Sequence, residues 1–210
     1  MATHREFLVI WFSLLVLVVG LGIAPQADRV TWFLESFPVM AALVLLALTR
    51  RIFPLTRLAY RVIWLFSLIL LVGGHYSYAE MPLFDRLQES FDLARNHYDR
   101  VGHLLQGATI AIVGRELLLR TSPLNRGGWL FFLVCCTALA GSAFYELLEW
   151  AEAMASGDKA VAFLATQGDP WDTQWDMFLA LAAAVAIQLA ARRAQDRQIR
   201  ELDPTLLLRK

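Results

Sequence analysis

The stretch FLVIWFSLLVLVVGLGIA at residues 7–24 is an unbroken apolar run and the first part of the chain that decides the fold. A helix needs about 20 such residues to cross the hydrocarbon core of a bilayer. The run lacks the small-x-small cleavage site of a secretory signal peptide, and a second apolar run begins soon after Pro25. We therefore expect residues 7–24 to be a retained transmembrane helix.

Five further apolar runs lie at residues 32–49, 58–75, 101–119, 128–150 and 175–191. Because backbone groups find no water in the bilayer core, each spanning run must be helical. The sequence thus predicts an all-α fold, a polytopic bundle of six transmembrane helices over residues 1–191, followed by a charged cytoplasmic tail at 192–210.

The composition supports a membrane protein and excludes other classes. Hydrophobic residues make up 58% of the chain and charged residues 18%, whereas soluble domains are about half apolar and a quarter charged. The 19 basic residues balance 19 acidic ones, so the basic surplus of a nucleic-acid-binding protein is absent. The adjacent Cys135 and Cys136 have neither disulfide nor metal-ligand spacing. We expect membrane lipids as partners and no nucleic acid, with the oligomeric state left open.

The distribution of Lys and Arg predicts the orientation. Most basic residues fall on the side of the N-terminus, and cytoplasmic loops are the ones enriched in basic residues. Both termini are therefore predicted to be cytoplasmic. The few basic residues on the other side are Arg29, Arg86, Arg95, Arg100 and Lys159.

The two longest connections are predicted to lie on the outer side. Residues 82–94 carry apolar side chains at helical spacing, which indicates an amphipathic helix at the membrane interface. Residues 151–174 could form a lid over an outer face that is rich in Asp and Glu.

Three polar clusters and His75 are predicted to meet at the outer ends of the last four spans. Their sequences are RNHYDRVGH at 95–103, SAFYELLEW at 142–150 and GDPWDTQWDM at 168–177. Residues four apart share a helix face, so the first and third clusters can each present two metal-ligating side chains on one face. In the middle cluster, Ser142, Glu146 and Glu149 form a polar stripe on an otherwise apolar helix.

A divalent metal would neutralise these clustered carboxylates. Carboxylate and imidazole ligands together suit Zn²⁺ or Mn²⁺, whereas a set of oxygen ligands alone suits Mg²⁺ or Ca²⁺. No organic cofactor is expected. The predicted metal ligands are Asp99, His103, Asp172 and Asp176. The predicted catalytic proton carriers are Glu146, Glu149 and His97. The predicted substrate-binding residues are His75, Arg100, Asp169 and Trp171.

Structural roles compete with these assignments. Asp99 and Asp172 suit the first turn of a helix, where an acid interacts favourably with the helix dipole. Glu146 could form a structural ion pair with Arg95 or Arg100. Anchoring at the membrane interface is the competing role of Trp150, Trp171 and Trp175.

The same strings, together with GHYSYAE at 74–80, resemble the YjdF-type bacterial inner-membrane proteins, a family known chiefly as a domain of unknown function. The resemblance covers most of the chain and implies a multi-pass protein of the bacterial inner (cytoplasmic) membrane. More distantly, the order D-x-x-x-H, E-x-x-E, D-x-x-x-D is similar to VanZ-like proteins, which are implicated in glycopeptide-antibiotic resistance. The matching polar positions are Asp99, His103, Glu146, Asp172 and Asp176. Two departures are Glu149, where a neutral amide is more usual, and the inserted GDPW.

Three functions are compatible with this pattern. The first is a metal-dependent hydrolase or transferase that acts on a lipid or lipid-linked envelope substrate at the outer leaflet. The second is a non-catalytic envelope factor that binds a lipid headgroup, a peptide or an antibiotic. The third is a small ion or proton-coupled carrier, although the cytoplasmic half offers little polar path beyond Arg115 and Glu116.

Overall fold

A computed structural model describes residues 2–156 and 167–204, and all regular secondary structure in these ranges is helical. A short 3-10 turn lies at Tyr78–Glu80, between the third and fourth helices. The α-helices are α1 (Ala2–Ile23), α2 (Arg29–Thr49), α3 (Arg57–Tyr76), α4 (Pro82–Phe91), α5 (Tyr98–Thr121), α6 (Gly128–Ser156) and α7 (Asp172–Leu202).

Five of these helices are long and apolar enough to cross a membrane: α1, α2, α3, α6 and α7. Their outward faces carry exposed large apolar side chains, including Val16, Phe37, Leu48 and Phe144. Such exposure is unfavourable in water but suits contact with lipid acyl chains. The predicted run at 101–119 lies in α5, which is not among the five because polar and charged residues interrupt it.

Helix α5 lies at the centre of the bundle, packed against α3, α6 and α7. Helices α1 and α2 pack on the far side of α3, around the buried Leu14, Val39 and Leu71. We call the end where α5 and α7 begin the site end, and the end where α3 and α6 begin the opposite end. The interior position of α5 keeps its polar residues in contact with protein.

The opposite end is held together by a buried glutamate. Glu116 of α5 accepts hydrogen bonds from the backbone N–H of Thr56 (3.0 Å) and from its hydroxyl (2.8 Å). Thr56 is itself the N-cap of α3, where its hydroxyl oxygen accepts from the N–H of Ala59. Arg120 donates to Glu116 at 2.8 Å and to the carbonyl of Pro54 at 2.7 Å. These bonds satisfy backbone N–H groups at the start of α3 and fix that end of the helix against the end of α5.

Helix α7 continues through residues 192–202 of the predicted tail. Gln195 donates to the carbonyl of Ile112 at 2.6 Å, and Gln198 accepts from the N–H of Leu58 at 2.9 Å. Ile199 is fully buried. This part of the tail therefore packs on α3 and α5 as the last turns of the bundle, whereas residues 205–210 lie outside the described ranges.

The structure describes the helical part of the first predicted outer connection and both ends of the second. The helix predicted at 82–94 is present as α4, at Pro82–Phe91. In the second connection, α6 extends to Ser156 and the chain is described again from Gln167. The central part of the predicted lid, residues 157–166, lies outside the described residues.

Gly107 permits the closest approach between α5 and α7. A Cβ atom on Gly107 would lie 2.0 Å from the carbonyl oxygen of Ala180, a distance at which backbone would have to move. Gly20 in α1 offers a comparison, because a Cβ there meets nothing within 4 Å. The contact between α5 and α7 therefore depends on the missing side chain at residue 107.

We predict that Gly107→Ala destabilises the protein by about 1–3 kcal/mol, because the added methyl group forces α5 and α7 apart. Thermal unfolding in detergent, followed by circular dichroism, measures the effect. Gly20→Ala is the matched control and should leave the melting temperature unchanged or raise it, because alanine favours the helix. Equal melting temperatures for the two variants would contradict the close packing of α5 on α7.

Candidate functional site

Three potential metal ligands converge at the site end. Asp99 and His103 lie one turn apart on α5, and Asp176 lies one turn into α7. One ligand atom from each of the three lies within 4.8 Å of the others, and all three residues are buried. The spacing of four on α5 thus places Asp99 and His103 together on the face that meets Asp176 of α7.

Glu146 of α6 lies beside the same histidine. The Nε2 atom of His103 is 3.6 Å from Glu146 Oε1 and 3.7 Å from Asp99 Oδ1, too far for direct hydrogen bonds. Glu146 Oε1, Asp176 Oδ1 and His103 Nδ1 are buried and have no hydrogen-bond partner among the described residues. The gaps between these atoms leave room for a bridging water or ion.

Asp172, the fourth predicted ligand, takes part in an ion pair. Its side chain accepts hydrogen bonds from the guanidinium of Arg95, and both side chains are buried. Asp169 is paired with Arg100 at 2.7 Å and lies 3.8 Å from Arg95. The two arginines thus pair with Asp172 and Asp169. The structural ion pair that the sequence suggested, between one of these arginines and Glu146, is not the arrangement that the structure has. Asp172 reaches the site end, but the structure brings it to Arg95 rather than to the three converging ligands.

A cavity of about 170 Å³ adjoins the cluster. Asp99 and His103 form part of its wall, so they face both the cavity and Asp176. Glu149 of α6, a predicted proton carrier, also lines it. By volume the cavity has room for about five water molecules. Its apolar wall consists of Pro38, Phe66, Leu70 and Ile110.

Glu35 of α2 is a cavity residue that our sequence reasoning missed. It is 3% exposed, and its buried Oε2 atom has no hydrogen-bond partner in the described ranges. Gln106, Tyr78 and Tyr145 complete the polar part of the wall. An ionisable residue inside a transmembrane run is by default a functional candidate, and this signal could have identified Glu35.

Negative charge at this end exceeds positive charge. Arg95 and Arg100 offset Asp172 and Asp169. Among the described residues that form the cluster and the cavity wall, His103 is the one basic side chain, beside the carboxyl groups of Glu35, Asp99, Glu146, Glu149 and Asp176. Like charges at short range in a low-dielectric site repel, so protons or a bound cation must neutralise part of this set.

Asn96 holds the connections around the site in place. Its side-chain amide donates to Asp85 (2.7 Å) and to the carbonyl of Met81 (3.2 Å), and its side-chain oxygen accepts from the N–H of Tyr98. The Gln167 amide bonds both the N–H (2.8 Å) and the carbonyl (2.9 Å) of Asn96. This residue therefore joins α4, the start of α5 and the segment before α7. No local pattern in the sequence marks this role.

The remaining predicted site residues lie at the edge of the cluster or away from it. His75 is half-buried, and its Nδ1 is 3.0 Å from the carbonyl of Leu21 in α1, so it is not brought to the cluster. Trp171 is 64% exposed. His97 precedes α5, and burial with the nearby Arg100 and Arg95 lowers the pKa of its ring. At neutral pH the His97 ring is therefore mainly uncharged and able to accept a proton.

The fold defines an integral membrane protein with several spanning helices and a buried acidic site at one end. The family model described as "Predicted membrane protein (DUF2238)" matches residues 7–197, and the chain belongs to this family. It is 45% identical over 188 residues to inner membrane protein YjdF of Escherichia coli (strain K12), covering 90% of each chain. The resemblance to YjdF-type proteins is thereby confirmed, as is a multi-pass location in the inner membrane. No solved structure matches the chain.

We predict that Arg95→Gln destabilises the protein by about 3–5 kcal/mol, because it leaves the buried Asp172 carboxylate without its guanidinium partner. The double variant Arg95→Gln/Asp172→Asn removes both charges and should recover much of the loss. Thermal unfolding of the parent, both single variants and the double variant gives the coupling energy. Additive effects of the two single changes would contradict a direct interaction.

Proposed function

We propose that the site end is the divalent-metal centre of a membrane-embedded hydrolase or transferase that acts on a lipid or lipid-linked envelope substrate. The observation that carries the proposal is the convergence of buried Asp99, His103 and Asp176, each with a ligand atom within 4.8 Å of the other two. A catalytic zinc site has three protein ligands and keeps one position open for water or substrate.

The residues fit such an ion in number, chemistry and spacing. Two carboxylates and one imidazole supply hard oxygen and borderline nitrogen donors, which suit Zn²⁺ or Mn²⁺. Nδ1 of His103 and Oδ1 of Asp176 are potential metal-ligand atoms that form no hydrogen bond within the part of the chain that the structure describes. The excess of carboxylates around these atoms is an electrostatic reason for a cation to bind. Small side-chain movements would bring the three ligand atoms to bonding distance of one ion.

A bound ion would lower the pKa of a coordinated water and polarise a phosphoryl or acyl oxygen. Glu146, beside His103, is in position to take the proton from the attacking water, as a general base requires. Glu149 in the cavity wall and His97 at the start of α5 are candidates to carry that proton onward. Arg100, which lies 5.5 Å from the Trp175 ring centre, is a candidate for holding a substrate anion.

The surroundings of the cavity support a lipid-linked substrate. Its apolar wall is formed by residues of α2, α3 and α5, all within the helical bundle. Its polar wall includes Asp99 and His103 of the metal cluster. A substrate with a hydrocarbon part and a polar group to be cleaved or transferred would find both environments within one cavity.

We predict that the detergent-purified protein contains about one divalent ion per chain by plasma mass spectrometry, and that Asp99→Asn/Asp176→Asn lowers the content below about a tenth. Glu89→Gln/Asp92→Asn is the matched control, because it neutralises two exposed acids at the same end. A chelator should lower the melting temperature of the parent but not of the site variant. Equal metal contents in both double variants, or none in the parent supplied with Zn²⁺, Mn²⁺, Mg²⁺ or Ca²⁺, would reject the metal centre.

The variant Glu146→Gln tests catalysis separately from metal binding. This variant keeps the three ligands, so it should keep its metal but lose at least about a hundredfold in activity. Activity is measured in a deletion strain that is complemented with either the parent or the Glu146→Gln variant. The readout is the composition of its envelope lipids and lipid-linked precursors. Full complementation by Glu146→Gln would favour a non-catalytic factor that binds a headgroup, peptide or antibiotic.

We also propose that α5 is a sixth span, that both termini are cytoplasmic and that the site end faces outward. The 24 residues of α5 make a helix about 36 Å long, which is enough to cross the hydrocarbon core. Helices α3, α6 and α7 pack around α5, and its charged residues Asp99, Arg115 and Glu116 are buried. The excess of basic residues on the side of the N-terminus supports the orientation.

We predict that reporters fused after Leu93 and after Asn125 fall on opposite sides of the membrane. Alkaline phosphatase should be active after Leu93 and inactive after Asn125, whereas green fluorescent protein should fluoresce only after Asn125. A fusion after Lys210 should behave like the one after Asn125. The same reporter result at Leu93 and Asn125 would mean that α5 does not cross.

A further inference from the structure

A second pocket, which the proposed reaction does not use, lies at the opposite end of the bundle. It encloses about 100 Å³ where α5, α6 and α7 meet. This volume corresponds to about three water molecules, which suits a phosphate group rather than a large ligand. Residues of all three helices and of the turn before α6 line it.

The residues that line this pocket carry a surplus of positive charge. Arg115, Arg126 and Arg192 face a single acid, Asp196. The carboxylate oxygen Oδ1 of Asp196 accepts from Arg115 at 2.8 Å and lies 3.1 Å from Nε of Arg126. One carboxylate is thus shared between two guanidinium groups, and Arg192 adds a third cation to the lining. An anion is the ligand that this arrangement favours.

The buried arginine gives the pocket a rigid base. Arg115 is 5% exposed, and its guanidinium is fixed by both Asp196 and Gln195, the latter at 3.3 Å. Gly127 also lines the pocket, and the space around it is open, since a Cβ there would meet no described atom within 4 Å. Arg126 and Arg192 are more exposed and lie where an incoming anion would first meet them.

The surroundings place the pocket at the level of the membrane interface. Trp129, in the first turn of α6, is 73% exposed and packs edge-on against Phe132. Exposed tryptophans are typical of the interface, where the phosphates of the lipid headgroups also lie. Phe132 and Leu189 continue as exposed apolar side chains from this level into the spanning parts of α6 and α7.

We propose that this pocket binds the phosphate of one anionic phospholipid, with the acyl chains lying against the exposed apolar faces of α6 and α7. Basic pockets between transmembrane helices are known to recognise such headgroups. A free phosphate ion would use the same arginines but gains nothing from Phe132 and Leu189. The lipid source is favoured because the exposed Phe132 and Leu189 directly follow Phe131 and Gln188, which line the pocket.

The test is a native mass spectrometry titration of the delipidated full-length protein with phosphatidylglycerol, with zwitterionic phosphatidylethanolamine and with inorganic phosphate. The pocket variant is Arg126→Gln/Arg192→Gln. The matched control is Arg193→Gln/Arg197→Gln, which removes two exposed arginines from the same end that do not line the pocket. Circular dichroism checks the helical content of each protein. Arg192→Gln alone, at an exposed position, serves if the double variant does not fold.

We expect the parent to bind one phosphatidylglycerol at least about tenfold more tightly than phosphatidylethanolamine. The pocket variant should lose about 10- to 30-fold in this affinity, the single variant about fivefold, and the control less than twofold. Equal losses in the pocket variant and the control would overturn the site in favour of general surface charge. Displacement of the lipid by an equal concentration of inorganic phosphate would overturn the lipid as the ligand. The metal content is independent of these outcomes.

Discussion

The burial of charged side chains on a central helix is the constraint on which the rest of this structure depends. Helix α5 carries Asp99, His103, Arg115 and Glu116, and all four are buried. Charged groups are costly in hydrocarbon, so a helix of this composition must be surrounded by protein. Helices α3, α6 and α7 provide that surrounding, and their remaining faces are apolar enough for lipid contact.

The two ends of α5 satisfy this constraint in different ways. At the opposite end, Glu116 is paired with Arg120 and caps the start of α3, while Arg115 is paired with Asp196. Among the described residues of the site end, the carboxyl groups outnumber the basic groups, and Glu146 and Asp176 each have an oxygen without a hydrogen-bond partner. Paired charges stabilise a fold, whereas buried polar groups without protein partners are more typical of a site that binds something.

Much of the fold could be predicted from local patterns. The apolar runs predicted spanning helices at nearly the bounds of α2 and α3, and the spacing of apolar residues predicted α4. The spacing of four between Asp99 and His103 correctly placed them on one face of a helix. These successes share one reason, which is that helix periodicity and membrane thickness act over a few turns of a single segment.

The partners of the site residues were harder to predict. Asp172 and Asp176 have the same spacing as Asp99 and His103, yet Asp172 pairs with Arg95 while Asp176 joins the ligand cluster. Glu35 reaches the cavity from α2, although it lies more than sixty residues before Asp99 in the chain. Such contacts depend on how each helix is rotated and which neighbours it faces.

By itself the sequence determined that this chain is helical, spans a membrane several times and belongs with inner-membrane proteins, because hydrophobic length and composition alone decide where such segments can reside. It also indicated most of the polar residues that meet at the site end, with Glu35 as an exception. Only the tertiary structure decided which acids are neutralised by arginine and that Asp99, His103 and Asp176 converge. The physical reason is that charge pairing acts over a few ångströms between helices, and a single chain segment does not encode the position of its neighbours.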